Sequence, residues 1–146
     1  MSQENVELVR SFHPAPDVDL TRIYRDESRW AWAASLLAPH VAQDFKCVAH
    51  GYPGFEGEIV EGLAGLRSLW LEWLTPWESY RAEVEEAIDL GDDVLVLVRD
   101  FGRRAANTGE VRVTSAAVWT VRGGKVARIA FWAEQAAALK AVGLEE

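Results

Sequence analysis

Residues 94–104 read Val94-Leu95-Val96-Leu97-Val98-Arg99-Asp100-Phe101-Gly102-Arg103-Arg104, a strand pattern from which the architecture follows. An extended chain sends successive side chains to opposite faces, so Val94, Val96 and Val98 share one face and Leu95 and Leu97 the other. Both sets are apolar. A sheet that contains such a strand must be covered on both sides.

The same period of two runs through the flanking segments. Tyr80 to Leu90 reads as a strand closed by Gly91-Asp92-Asp93, and Val111 to Val121 as another, after an Asn107-Thr108-Gly109 turn. Gly123-Gly124 is a two-residue hairpin signal, and Val126 to Trp132 follows as the next strand. Farther upstream the period lengthens. Leu63, Leu66, Leu69, Trp70, Trp73, Leu74 and Trp77 recur at helical spacing, with Pro76 marking the end. Arg29 to Leu37, with Trp30, Ala33, Ala34 and Leu37 on one face, predicts a helix stopped by Pro39. Ser2 to Phe12 predicts another, with Ser2 as its cap and Pro14 and Pro16 after it. Between them Asp17 to Asp26 reads as a polar connector. Val41 to Val48 is a candidate strand, Gly51-Tyr52-Pro53-Gly54 a turn, and Gly57 to Gly62 a short strand or loop. Glu134 to Val142 closes the pattern as an Ala-rich helix ending at Gly143.

Helices followed by a meander of long strands give an α+β domain, and 146 residues are enough for one such domain, 1–146. The helices cover one sheet face. A second copy of the chain is the simplest cover for the other, so a homodimer is expected.

A formal net charge of −8 disfavours nucleic acid and anionic membrane surfaces as partners. The polar, acidic start and the lack of a long apolar run point to a cytoplasmic protein with no membrane span. A single cysteine, Cys47, allows no internal disulfide. The three histidines show no metal-ligand spacing, and no glycine-rich loop lies between a strand and a helix, so neither metal nor nucleotide cofactor is expected. Seven tryptophans are available for core, pocket or interface.

Four segments carry a resemblance: Ser2 to Arg10; Glu85 to Asp92; Ala117-Val118-Trp119-Thr120-Val121-Arg122-Gly123-Gly124-Lys125-Val126; and Phe131-Trp132-Ala133-Glu134 running into Ala138-Leu139. In their order and spacing they resemble SnoaL-like (nuclear-transport-factor-2-like) proteins, many of them actinobacterial. The match is weakest from His13 to Arg29, which looks like an insertion. The resemblance implies a cone-shaped, curved antiparallel sheet wrapped on N-terminal helices, a cystatin-like fold with a cavity open at one end. The family includes ketosteroid isomerases, polyketide cyclases, dehydratases and epoxide hydrolases, and also members that only bind partners, so the fold supplies a pocket and not a reaction. Two positions depart from its pattern. Position 123 is Gly where Asp is usual, and the acid before the last helix is Glu134 where Asp is usual.

Glu134 and His50 are the catalytic candidates. Trp132 and Glu134 match the family's aromatic-x-acid spacing, and a carboxylate walled by tryptophans would have a raised pKa suited to proton transfer. The alternative is a solvated acid at a helix N-terminus. His50 would be a base at the cavity mouth, or a hydrogen-bonded bystander. Trp119, Trp132, Tyr52, Trp30 and Arg99 are candidate ligand contacts, Trp119 because Ala117 and Ser115 beside it leave space; core packing is the other reading of the tryptophans. Arg99 and Asp100 are adjacent and face opposite ways, so the epoxide-hydrolase Arg–Asp pair is not carried over. A ketosteroid-isomerase set, an Asp base with a Tyr and a protonated Asp, has no match by spacing. The expected ligand is a small hydrophobic cyclic molecule, bound in an apolar pocket for cofactor-free acid–base chemistry or for binding alone.

Overall fold

The computed structural model describes residues 2–52, 54, 56–104 and 109–144. The Asn107-Thr108 turn, Pro53 of the Gly-Tyr-Pro-Gly turn and the capping side chain of Ser2 lie outside the described residues.

Helix α1 spans Ser2–Ser11, α2 Leu20–Tyr24 and α3 Glu27–Leu37. Strands β1 (Val41–His50) and β2 (Ile59–Glu61) precede α4 (Gly62–Leu74). The long strands are β3 (Ser79–Asp89), β4 (Asp93–Arg103), β5 (Val111–Arg122) and β6 (Lys125–Trp132), and α5 (Gln135–Ala141) follows. The six strands form one sheet in the order β2-β1-β6-β5-β4-β3. All pairs are antiparallel except β1 with β6, and the register shifts within β1, β3 and β5 are the irregularities that bend such a sheet.

The expected connector at Asp17 to Asp26 contains a helix of its own. Asp19 caps α2 through the Thr21 amide and hydroxyl, and also accepts from the Tyr80 amide. Asp26 caps α3 in the same manner through the Arg29 amide. Leu20 and Thr21 are buried, so this segment is part of the packed domain and not a loop set aside from it.

On the inner face, Phe45, Val94, Val96, Val126 and Ile129 pack against Val6 and Val9 of α1 and Leu66 and Leu69 of α4. On the outer face, α5 of the same chain lays Ala138 against Leu95 and Ala116, with Leu97, Val118 and Trp132 half-buried around them. The centre of the second face is thus covered within the chain, which the alternating pattern alone did not reveal. At the far end of β4 the ring of Trp77 lies on Gly102, where a Cβ would sit 2.4 Å from the ring. No helix among the described residues is long and apolar enough to cross a membrane.

Candidate functional site

Antiparallel partners face the same side, so parity fixes what the inner face carries. Ala82 pairs with Asp100, Val98 with Ser115, Val96 with Ala117 and Val94 with Trp119. All of these lie on the inner face, with Tyr80 two residues from Ala82. On this face, small residues meet large rings, and the lining shares Leu66, Leu69 and Ile129 with the packed core. A cavity of about 120 Å³ opens there. Its walls include Trp70 and Trp73 of α4, Tyr80 of β3, Trp119 of β5, Tyr24 of α2 and Tyr52 after β1. Ala82, Ser115 and Ala117 leave the room between them.

Many of the rings are set edge to face. Trp73 and Tyr80 meet at 88° with centroids 6.0 Å apart, and Tyr52 and Trp73 at 73° and 5.0 Å. Tyr24 stacks flat on Trp70 at 5.2 Å. Such contacts add about 0.5–1.5 kcal/mol each beyond burial and hold the walls in place. Two arginines tie α2 to α4. Arg25 donates to the carbonyls of Leu74 and Trp77 at the end of α4, and Arg67 Nε donates to the Tyr24 carbonyl at 2.9 Å.

Among the described residues the one carboxylate in this wall belongs to Asp100, which is 4% exposed. The Ser115 hydroxyl donates to its Oδ2 at 2.7 Å, and the Tyr80 hydroxyl also donates to it. Tyr80 in turn accepts from the Trp73 indole. Burial pushes the Asp100 pKa up to about 6, with the Ser115 and Tyr80 hydrogen bonds pulling against that rise. Burial raises Tyr24, Tyr52 and Tyr80 well above the usual tyrosine range, and Asp100 raises Tyr52 and Tyr80 further. His13 also lines the cavity, 5.2 Å from the Trp119 ring. Burial holds its pKa below the usual value, against a 2.9 Å contact from Nδ1 to the Val9 carbonyl. No Lys or Arg is among the described residues that line the cavity. No three His, Cys, Asp or Glu among the described residues are grouped to hold a metal.

The residues expected from the sequence divide between the faces. Trp119 and Tyr52 line the cavity. Glu134 is exposed at the start of α5 and lies outside the cavity wall, because Phe131 points in and Trp132 out. The Trp132 ring stacks on His50 at 4.3 Å, and His50 Nδ1 lies 3.4 Å from Glu56, so this pair is also outside the cavity. Arg99 points outward, 3.6 Å from Glu83. Trp30 stacks on Tyr24 at 5.3 Å and supports the wall from behind. The sequence reading gives no site role to Tyr80, Tyr24 or His13, sets Asp100 aside with the Arg99 pair, and takes Ser115 only as space beside Trp119. One signal was available for Asp100: it continues the Val94, Val96, Val98 stripe, and a carboxylate on an apolar stripe is abnormal. The Asp–Tyr pairing that no spacing revealed is made across two strands, by Tyr80 and Asp100.

A family model for the SnoaL-like domain matches residues 21–129. No curated protein matches the chain. Among solved structures, TerC co-crystallised with polyporic acid is 19% identical with a TM-score of 0.64, covering 96% of this chain and 98% of that one. A protein provisionally assigned as a SnoaL-like polyketide cyclase, from Jannaschia sp. CCS1, is 16% identical with a TM-score of 0.65, covering 99% and 94%. A protein with a ketosteroid isomerase-like fold from Catenulispora acidiphila DSM 44928, in complex with trimethylamine, is 19% identical with a TM-score of 0.54, covering 81% and 93%.

Proposed function

This chain belongs to the SnoaL-like domain family, and from that premise we propose that its aromatic cavity binds a small, largely apolar ring compound and that Asp100 exchanges a proton with it. The observation that carries this reading is a carboxylate 4% exposed in a wall of aromatic rings, with two hydroxyl donors and a pKa pushed up to about 6. An acid poised near working pH is present in both protonation states, as proton transfer requires. Ser115 and Tyr80 orient the carboxylate, and burial excludes water from it. Solved structures of this fold that hold polyporic acid and trimethylamine support a pocket for small molecules. The cavity's 120 Å³ is close to the roughly 150 Å³ engineered cavities that accept benzene, so one ring is the natural load.

The test is a screen of one-ring compounds of all three charge types in deuterated water, followed by NMR. Binding, with solvent deuterium entering the compound at a carbon beside a carbonyl or iminium group, is the expected result. Loss of that exchange in Asp100→Asn assigns the proton step. Absence of any bound compound at millimolar concentration sinks the reading. Binding without exchange leaves a ligand-binding module, a reading favoured by the fact that Tyr80 and Ser115 already occupy the carboxylate.

A homodimer through the outer face is part of the same proposal. Leu97 and Val118 remain half-buried there beside α5, and Phe101, under the Arg81 guanidinium, is half-buried on the same face. Sedimentation velocity at micromolar concentration tests it, and a monomer would refute the dimer while leaving the cavity reading intact.

A further inference from the structure

The charge in this cavity has a sign and no internal answer. Asp100 is the acid in the wall, and the nearest polar groups are the hydroxyls of Ser115 on β5 and Tyr80 on β3. The other titratable groups around the cavity are Tyr52 after β1, Tyr24 of α2 and His13 after α1. Burial keeps the three tyrosines protonated and disfavours the charged form of His13. No Lys or Arg among the described residues reaches these walls. Arg99, next in sequence, points to the other face and pairs with Glu83. When Asp100 ionises, the cavity therefore carries one uncompensated negative charge within a box of π-faces.

An aromatic box attracts a cation through the ring quadrupoles, and a desolvated carboxylate gains most from a positive partner. Both features repel an anion. The formal charge of −8 on the whole chain adds to the attraction at long range. We infer that the ligand of this cavity is a small organic cation, an ammonium or iminium group carrying one ring, held with its charge on Asp100 and its apolar body against Trp70, Trp73 and Trp119. This names a ligand class for the cavity proposed above and rests on that reading. Neutral ring compounds would be weaker ligands, and carboxylates weaker still.

The experiment uses three probes of nearly equal shape: benzylamine, which stays protonated from about pH 5 to pH 8, benzyl alcohol and benzoate. Each is titrated into the full chain by calorimetry or tryptophan fluorescence. At about pH 7.5 benzylamine is expected to bind at least about tenfold more tightly than benzyl alcohol, and benzoate more weakly than the alcohol. At about pH 5, where Asp100 is protonated, the advantage of the amine falls to a few-fold or less. In Asp100→Asn, with folding verified by circular dichroism, the advantage of the amine falls to a few-fold or less at both pH values. Benzyl alcohol binding as tightly as the amine at pH 7.5 overturns the inference and leaves the cavity reading standing. A preference for the amine of about tenfold or more that survives in Asp100→Asn, or that is unchanged at about pH 5, also overturns it. Failure of all three probes to bind overturns both.

Discussion

The hydroxyl of Ser115 donates a 2.7 Å hydrogen bond to Oδ2 of Asp100 across the β4–β5 ladder. The two are not direct partners. Asp100 faces Val113 and Ser115 faces Val98, so the contact runs diagonally on the inner face. It fixes one oxygen of a carboxylate whose surroundings are otherwise aromatic. Removing it with Ser115→Ala leaves the burial and takes away a donor to the charged form. The Asp100 pKa then rises further, by about one unit. Carbon-detected NMR titration of the carboxyl group checks this, and an unchanged or lower value would refute the role given to Ser115.

Asp100 also sets a pH dependence of stability. Its folded pKa of about 6 lies above the ordinary 3.8, so the folded chain holds this proton more tightly than the unfolded chain. The stabilisation from that proton is complete below the unfolded value and is lost as pH rises through about 6. The two-unit shift corresponds to about 3 kcal/mol. Wild type should therefore lose about 2–3 kcal/mol relative to Asp100→Asn between pH 4 and pH 7. Urea unfolding of both proteins across that range measures the difference directly.

Ala117 lies between Ser115 and Trp119 on the inner face and is 4% exposed. Ala117→Leu pushes a larger side chain into the cavity. Ligand binding is expected to fall by more than about tenfold. The melting temperature should stay level or rise, because the added methyl groups fill existing space. A melt beside a titration separates the two effects.

Gly102 has no such space. A Cβ there meets the Trp77 ring at 2.4 Å. The Gly102→Ala change must displace that ring or the strand, at a cost of about 2 kcal/mol or more. Equilibrium unfolding checks the size of the loss, and a neutral result would mean that Trp77 is not held on β4 as described.

Glu134 stands at the surface at the start of α5 and outside the cavity wall. Glu134→Gln is expected to leave both the affinity for cavity ligands and its pH dependence unchanged. The same titrations that test Asp100 decide it.

How far the sequence reaches can be judged element by element. The strands β3 to β6 are predicted to within a residue or two, because alternation and glycine turns are local signals. Helix α2 is not, since five residues give no usable period; its place comes from the Asp19 cap and from Leu20 packing against Trp77 and Tyr80. Among the expected site residues, Trp119 and Tyr52 reach the cavity and Glu134 and His50 do not. Strand parity could say that Trp132 and Glu134 share one side and that Asp100 lies on the valine side. It could not say which side closes into a cavity and which meets α5.

The α+β class, the long sheet, the apolar pattern on both its faces and the acidic balance are all legible in the chain alone. These follow from side-chain period and composition, which belong to the chain before it folds. That Tyr80, Asp100 and Ser115, on three successive strands, meet in one hydrogen-bonded group beside Trp73 emerges on folding. That group depends on register, on the bend of the sheet and on where α2 and α4 close over it. These are set by packing among residues far apart in the chain, and no local pattern encodes them.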